Sequence, residues 1–208
     1  MSVISEKTRA LNEGVHILTN RWQVIDPAFG RRGACAVEMD LGCGKGALAV
    51  EMARRFPDRL IVACDVMMGR LRKVLATARR EGLANLEVVR ANSLDLTAYQ
   101  LPPSSVDRIH VVCPDPWPKR RHQARRLLNA DFMRRVVRVL KPGGGLHLAT
   151  DDADYYDFML EAAAGAPLLK LDSTGKAIAD IADIKTGFEL KWNGQGIDVP
   201  HVVFVNQK

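Results

Sequence analysis

No two cysteines in this chain stand at a spacing that makes a metal site or a disulfide frame. The four present, Cys35, Cys43, Cys64 and Cys113, include no C-x-x-C pair. Three fall in or beside strand-like apolar runs and Cys43 lies in a glycine loop, so they read as reduced, mostly buried thiols of a cytoplasmic protein. No apolar stretch is long enough to span a bilayer. Met1 to Leu11 carries Glu6, Lys7 and Arg9 without an apolar core, which argues against a signal peptide. A phosphate-cradling G-x-x-x-x-G-K-[ST] loop, internal repeats and low-complexity tails are all lacking. These absences point away from membranes, metals and nucleoside triphosphates. The 208 residues, 47% hydrophobic and 26% charged, suit one globular domain: an N-terminal helix and loop over 1–34, then a catalytic core over 35–208. No spare apolar helix demands a dimer, so a monomer is expected.

What is present is a basic excess. Thirty Lys and Arg against 24 Asp and Glu give a net charge of +6 and a pI near 9.3. A basic domain leans toward an anionic partner, nucleic acid first.

Along the chain, Glu6 to Thr19 reads as a short helix weakened by Gly14. Cys35 to Asp40 is a strand, Leu41-Gly42-Cys43-Gly44-Lys45-Gly46 a glycine loop, and Ala47 to Arg55 a helix with Leu48 and Met52 on one face. Glycines let a backbone approach a ligand closely. The next strand, Leu60 to Cys64, ends at Asp65, placed to accept from a ribose diol. Dinucleotides usually require G-x-G-x-x-G and room for a pyrophosphate. The tighter G-x-G-x-G spacing after an acidic strand end suits S-adenosylmethionine, which has no phosphate. Asp40 either orders the loop or meets the cofactor's ammonium through water. Gly69 to Glu81 is a basic helix stopped by Gly82. Leu86 to Arg90 is a strand followed by Asn92 and Ser93, which either read an adenine edge or form a turn or cap.

Ser105 to Cys113 forms the fourth strand and empties into Pro114-Asp115-Pro116-Trp117-Pro118-Lys119-Arg120-Arg121-His122. Each proline fixes its own φ and biases its predecessor away from helix, so Asp115 and Trp117 are expected to be extended. A carboxylate, an aromatic face and a cluster of cations at a strand's carboxyl end are the parts needed to hold a nucleic-acid base. Trp117 either stacks on that base or packs the loop. Helices follow over Arg125–Leu140 and Ala153–Ala164, separated by Lys141 to Gly145 and a strand, Leu146 to Ala149, ending at Thr150-Asp151. Short strands come at Leu168 to Leu171 and Val199 to Val205, while Ser173 to Asp183 has no clear pattern. The strand–helix alternation predicts an α/β fold, a mostly parallel sheet with helices on both faces.

From about Cys35 onward the chain resembles the bacterial tRNA (guanine-N7-)-methyltransferase family. Pro114 to His122 with Arg125-Arg126 carries the resemblance, and Lys141-Pro142-Gly143-Gly144, Ala149-Thr150-Asp151 and Thr186-Gly187-Phe188-Glu189 agree in order and spacing. The resemblance implies a Rossmann-like methyltransferase fold, with a seven-stranded sheet whose C-terminal strand is antiparallel. S-adenosyl-L-methionine is the implied cofactor and tRNA the implied partner. It places Asp40, Asp65, Asn92 and Asp115 at cofactor positions, beside Gly42, Gly44, Gly46 and Ser93 of the loops already described. Asp115 falls at the catalytic position, and Lys119, Asp151, Thr186, Gly187, Phe188 and Glu189 at substrate positions, with Arg120 and Arg121 expected on phosphates. The family usually has glutamate at Asp40 and Asp65, Asp-Ala at Asn92-Ser93 and lysine at Gly187. Other readings are a catalytically impaired homologue that still binds tRNA and S-adenosylmethionine, and a methyltransferase for another small or RNA substrate.

Overall fold

The computed structural model describes residues 12–29 and 33–208. Among the described residues eight strands form one sheet: β1 (Val15–Ile17), β2 (Ala36–Leu41), β3 (Arg59–Asp65), β4 (Leu86–Arg90), β5 (Val106–Val112), β6 (Leu140–Ala149), β7 (Leu169–Leu171) and β8 (His201–Asn206). Their order is β1-β4-β3-β2-β5-β6-β8-β7. All pairs are parallel except those of β8, which runs antiparallel to both β6 and β7. This is the expected mostly parallel sheet with an antiparallel last strand, plus one strand more than expected. The extra strand is β1. Of the helix expected over Glu6–Thr19, residues 6–11 lie outside the described residues, and Val15–Ile17 instead pair with Val88–Arg90. Only Val15 of the three is buried, so no alternating pattern marks this edge strand in the sequence.

Successive side chains of a strand face opposite ways, and each face of this sheet is covered. On one side Met39, Leu41, Ile109 and Leu146 pack against Phe132, Val136 and Met159 from α3 (Ala130–Val139) and α4 (Ala153–Ala164). On the other, Ile61, Ala63 and Val88 meet Leu48, Met52, Leu71 and Val74 from α1 (Ala47–Arg55) and α2 (Met68–Glu81). Residues 172–186 cover the rest of that second face, burying Ile178, Ile181 and Ile184. Asp180 fixes this segment through ion pairs to Arg59 and to Arg108 (2.9 Å). These long-range bonds have no sequence period, which is why the segment reads as patternless.

Helix boundaries follow local chemistry. The helix expected from Arg125 starts at Ala130, because Asn129 Oδ1 accepts from the Phe132 N–H (3.0 Å) and caps it, while Arg120–Arg125 form a 3-10 turn. Gly46 has φ 82° and precedes α1; a Cβ there would sit 2.8 Å from Val74 Cγ2, so only glycine lets α1 and α2 approach this closely. β2 pairs with β3 on one side and β5 on the other. The chain therefore leaves the two strands in opposite directions, and a crevice opens at their carboxyl ends. Among the described residues no helix is long and apolar enough to cross a membrane.

Candidate active site

Every loop that leaves a carboxyl end of β2 to β6 brings a polar residue to this crevice. Asp40, on β2, is 4% exposed. Burial, opposed by one hydrogen bond from the Ala49 N–H and reinforced by the nearby Asp65 carboxylate, pushes its pKa up to about 7. Asp65, at the end of β3, organises the glycine loop: its carboxylate accepts from the N–H groups of Met67 (2.7 Å) and Gly44 (3.1 Å), with Arg70 Nη1 at 3.4 Å. The Gly42 and Cys43 N–H groups both bond the Cys64 carbonyl (2.8 and 3.0 Å), which closes the loop over the strand. Gly42 and Gly44 have φ of 81° and 57°, and a Cβ on Gly42 would meet nothing within 4 Å, so the loop's outer side faces open space.

Beyond β4, Asn92 Oδ1 accepts from the Leu94 and Asp95 N–H groups (2.9 and 3.4 Å). Asn92 is thus the cap of a short helical turn that begins at Ser93. Sequence reasoning passed over Val66 and Met67, which follow Asp65 and are 54% and 51% exposed. They place an apolar lip beside the acid; the one signal for them was an apolar pair where a helix start usually carries polar caps.

The loop after β5 is built by tertiary contacts. Cys113 donates its N–H to the Ala149 carbonyl at the end of β6 (2.9 Å). Arg126, 4% exposed, donates from Nε to the Pro116 carbonyl (2.9 Å) while its guanidinium lies 4.9 Å from the Tyr155 ring centre. Trp117 is not extended: its φ is 47°. Its ring packs against the Arg125 guanidinium (5.0 Å) and edge-on to His122 (5.9 Å), and these contacts override the bias exerted by Pro118. Trp117 is therefore a packing residue of the loop. Asp115 is exposed between Pro114 and Pro116, and Lys119, Arg120 and Arg121 are exposed beside it. No acid pairs with those three cations among the described residues.

At the end of β6, the helix-capping carboxylate is Asp152, which accepts from the Tyr155 N–H (2.8 Å), and this leaves Asp151 out of the cap. The Cys113 thiol is pushed up to about 12, first by burial and then by the carboxylates of Asp151 and Glu189. The ends of β5 and β6 and the turn before α5 (Gly187–Asn193) therefore converge. Thr186 and Glu189 form a capping box: Glu189 Oε2 accepts from the Thr186 N–H (2.7 Å) and Thr186 Oγ1 from the Glu189 N–H (3.3 Å). Glu189 is 1% exposed, so its carboxylate holds the turn from inside, whereas Phe188 is 61% exposed. Gly187 is exposed, and a Cβ on it meets nothing within 4 Å.

The predicted residues thus form two groups. Asp40, Asp65 and the glycine loop are bonded into one. Asp151 and the Thr186–Glu189 turn gather around Cys113 in the other, and Asp115 follows Cys113 by two residues in the loop after β5. Two carboxylates behind the first loop would repel a pyrophosphate and suit a phosphate-free, cationic cofactor. Glycine loop, strand-end acid and strand order together define a Rossmann-like methyltransferase. The fold agrees with the crystal structures of the 16S rRNA methyltransferase KamB (TM-score 0.59, 18% identity, 100% of this chain and 96% of that one) and of the aminoglycoside resistance methyltransferase NpmB1 (TM-score 0.58, 18% identity, 89% and 95%). A family described as "Putative methyltransferase" matches residues 35–202. The tRNA (guanine-N(7)-)-methyltransferase of Thermus thermophilus is 35% identical over 187 residues, 89% of this chain and 58% of that protein. That of Mycobacterium avium is 32% identical over 183 residues, 88% of this chain and 70% of that protein. The chain belongs to the bacterial tRNA (guanine-N7-)-methyltransferase family, and it spans a little over half the length of the Thermus relative.

Proposed function

We propose that this protein transfers a methyl group from S-adenosyl-L-methionine to N7 of a guanosine in tRNA, in the cytoplasm. The observation that carries the reading is Asp115, an exposed carboxylate clamped between prolines at the crevice and flanked by Lys119, Arg120 and Arg121, which are exposed and have no acid partner among the described residues. Bound at the glycine loop, the cofactor supplies an electrophilic methyl group on a sulfonium. Asp40, Gly42, Gly44, Gly46 and Asp65 hold it, with Asn92 and Ser93 at the neighbouring strand end. Asp40, whose pKa burial pushes up to about 7, would supply the counter-charge for the cofactor's ammonium.

Guanine N7 has a lone pair and no proton, so the protein needs no general base. Its work is positioning and electrostatics. Asp115 accepts from the N1–H and N2–H₂ edge of the base and stabilises the positive charge that methylation creates. Lys119, Arg120 and Arg121 meet backbone phosphates. Asp151, Thr186, Gly187 and Phe188 frame the base from the other side, and Glu189 contributes by holding that turn in shape.

The test is incubation of the purified chain with labelled S-adenosylmethionine and bulk tRNA, followed by nucleoside analysis. Label in 7-methylguanosine is expected. Label in another nucleoside overturns the N7 assignment, and cofactor binding with no transfer overturns the enzymatic reading.

A further inference from the structure

Three of the chain's five histidines lie in one line across the sheet. Glu38 of β2, His110 of β5, His147 of β6, His201 of β8 and Glu189 of α5 follow one another on the face covered by residues 172–186. The contacts are Glu38 Oε2 to His110 Nε2 (3.1 Å), His110 Nδ1 to His147 Nδ1 (3.1 Å), His147 Nε2 to His201 Nδ1 (2.8 Å) and His201 Nε2 to Glu189 Oε1 (2.9 Å). Glu38, His110, His147 and Glu189 are each 3% exposed or less. The central strands of an α/β sheet are ordinarily apolar on both faces, so this buried polar row is unusual.

Counting protons fixes its charge. A neutral imidazole has one N–H and one bare nitrogen. Four contacts need four protons, and three neutral rings supply three. Both carboxylates are ionised. Glu38 is held below the ordinary range although burial opposes this, chiefly by the His110 hydrogen bond. Glu189 is held down to about 2 against its burial, first by the His201 hydrogen bond. One ring must therefore be an imidazolium. Burial disfavours a charge on His110 and on His147. The fourth proton then resides on His201, whose side chain is 23% exposed. The tautomers follow: His201 carries both ring protons, His147 carries its proton on Nδ1 and His110 on Nε2.

We propose that His201 is a positioning residue for the substrate turn: its second proton, set by the histidine row, holds Glu189 in the capping box and so presents Thr186 and Phe188 to tRNA. This rests on the methyl-transfer reading above. Loss of the proton leaves a bare Nε2 facing a carboxylate. The seven-residue α5 is too short to hold itself without its cap. The other charged groups facing the row are Arg59 of β3, Arg108 of β5, Asp180 of the covering segment, Lys185 beside Glu189 (3.5 Å) and Asp40, in register with His110. Arginines stay charged and Asp180 is held down to about 2, against its burial, first by its bond from Arg108. Burial pushes the Asp40 pKa up to about 7, so the test follows His201 separately from it.

The test has two parts on the full chain. In ¹⁵N NMR of histidine-labelled protein, with rings assigned by single His→Gln substitutions, His201 is expected doubly protonated with His147 on Nδ1 and His110 on Nε2. A neutral His201 with His147 protonated on Nε2 overturns the row. The second part uses Glu189→Gln, whose amide oxygen can accept from Thr186 while its NH₂ donates to a neutral His201, so the cap survives without the fourth proton. At saturating cofactor, the wild-type KM for tRNA is expected to be about tenfold higher under conditions where the NMR shows His201 neutral than where it shows both ring protons, with kcat little changed. Glu189→Gln is expected to lose that rise, and an unchanged rise overturns the positioning role. Absence of tRNA methylation would sink the substrate reading and the role resting on it, while the NMR pattern alone would still decide the row.

Discussion

At the amino ends of the strands, Arg59, Arg108 and Lys141 each have an acid within reach: Arg59 pairs with Glu38 and Asp180, Arg108 with Asp180, and Lys141 with Asp107 (2.8 Å). At the carboxyl ends Lys119, Arg120 and Arg121 stand exposed beside an exposed Asp115, and among the described residues no acid pairs with them and no cation pairs with the buried Asp40. Paired charges at one end fasten the covering segment to the sheet. Unpaired charges at the other are left for ligands: cations for phosphates, carboxylates for a cationic cofactor and a guanine edge.

The hardest way to break the carboxyl end is Asp115→Ala. Methyl transfer should fall by about 10²–10³-fold, the usual cost of removing one electrostatic anchor, with the melting temperature unchanged. Asp40 sharpens the contrast. Its pKa is raised from 3.8 to about 7, so the folded chain keeps a proton that the unfolded chain releases. Its stabilising contribution is full below the lower value and lost as pH rises through the higher one. Denaturant unfolding of the cofactor-free protein at about pH 4.5 and about pH 7.5 should therefore show a stability loss of roughly 2 kcal/mol or more that Asp40→Asn lacks.

Arg108→Ala attacks the amino end. It should cost about 2 kcal/mol in denaturant unfolding, less than a wholly orphaned buried pair because Arg59 still faces both acids, and leave the salt dependence of tRNA binding as it was. The mildest change is Gly187→Lys. The site has open space and an ordinary backbone, so the variant should fold normally and bind tRNA about threefold more tightly in a filter assay at low salt.

Much of this was legible in the sequence, because local signals write it. Apolar runs gave the central strands, α1 and α4 begin and end where the pattern predicts, and the glycine loop sits between β2 and α1. What was not legible depends on topology. Glu38, His110, His147 and His201 are isolated polar residues in separate apolar runs, and only the order β2-β5-β6-β8 makes them neighbours. Asp180 looks like any surface acid until β3 and β5 bring Arg59 and Arg108 to it. Trp117 reads as extended because proline rules are local, whereas Arg125 and His122 hold it elsewhere. Asp151 and Asp152 stand side by side ahead of α4, and the geometry of the turn makes Asp152 the cap.

The measurement that bears most directly on the contrast between the two ends is tRNA affinity as a function of salt. It should be made for the wild type and for a variant with Lys119, Arg120 and Arg121 all changed to glutamine. The account predicts a steep wild-type dependence that flattens in the variant by about two to three units of log Kd per log salt, with cofactor affinity and melting temperature held. An equal slope in the two proteins would contradict it, and would mean that the unpaired cations beside Asp115 do not hold the nucleic acid.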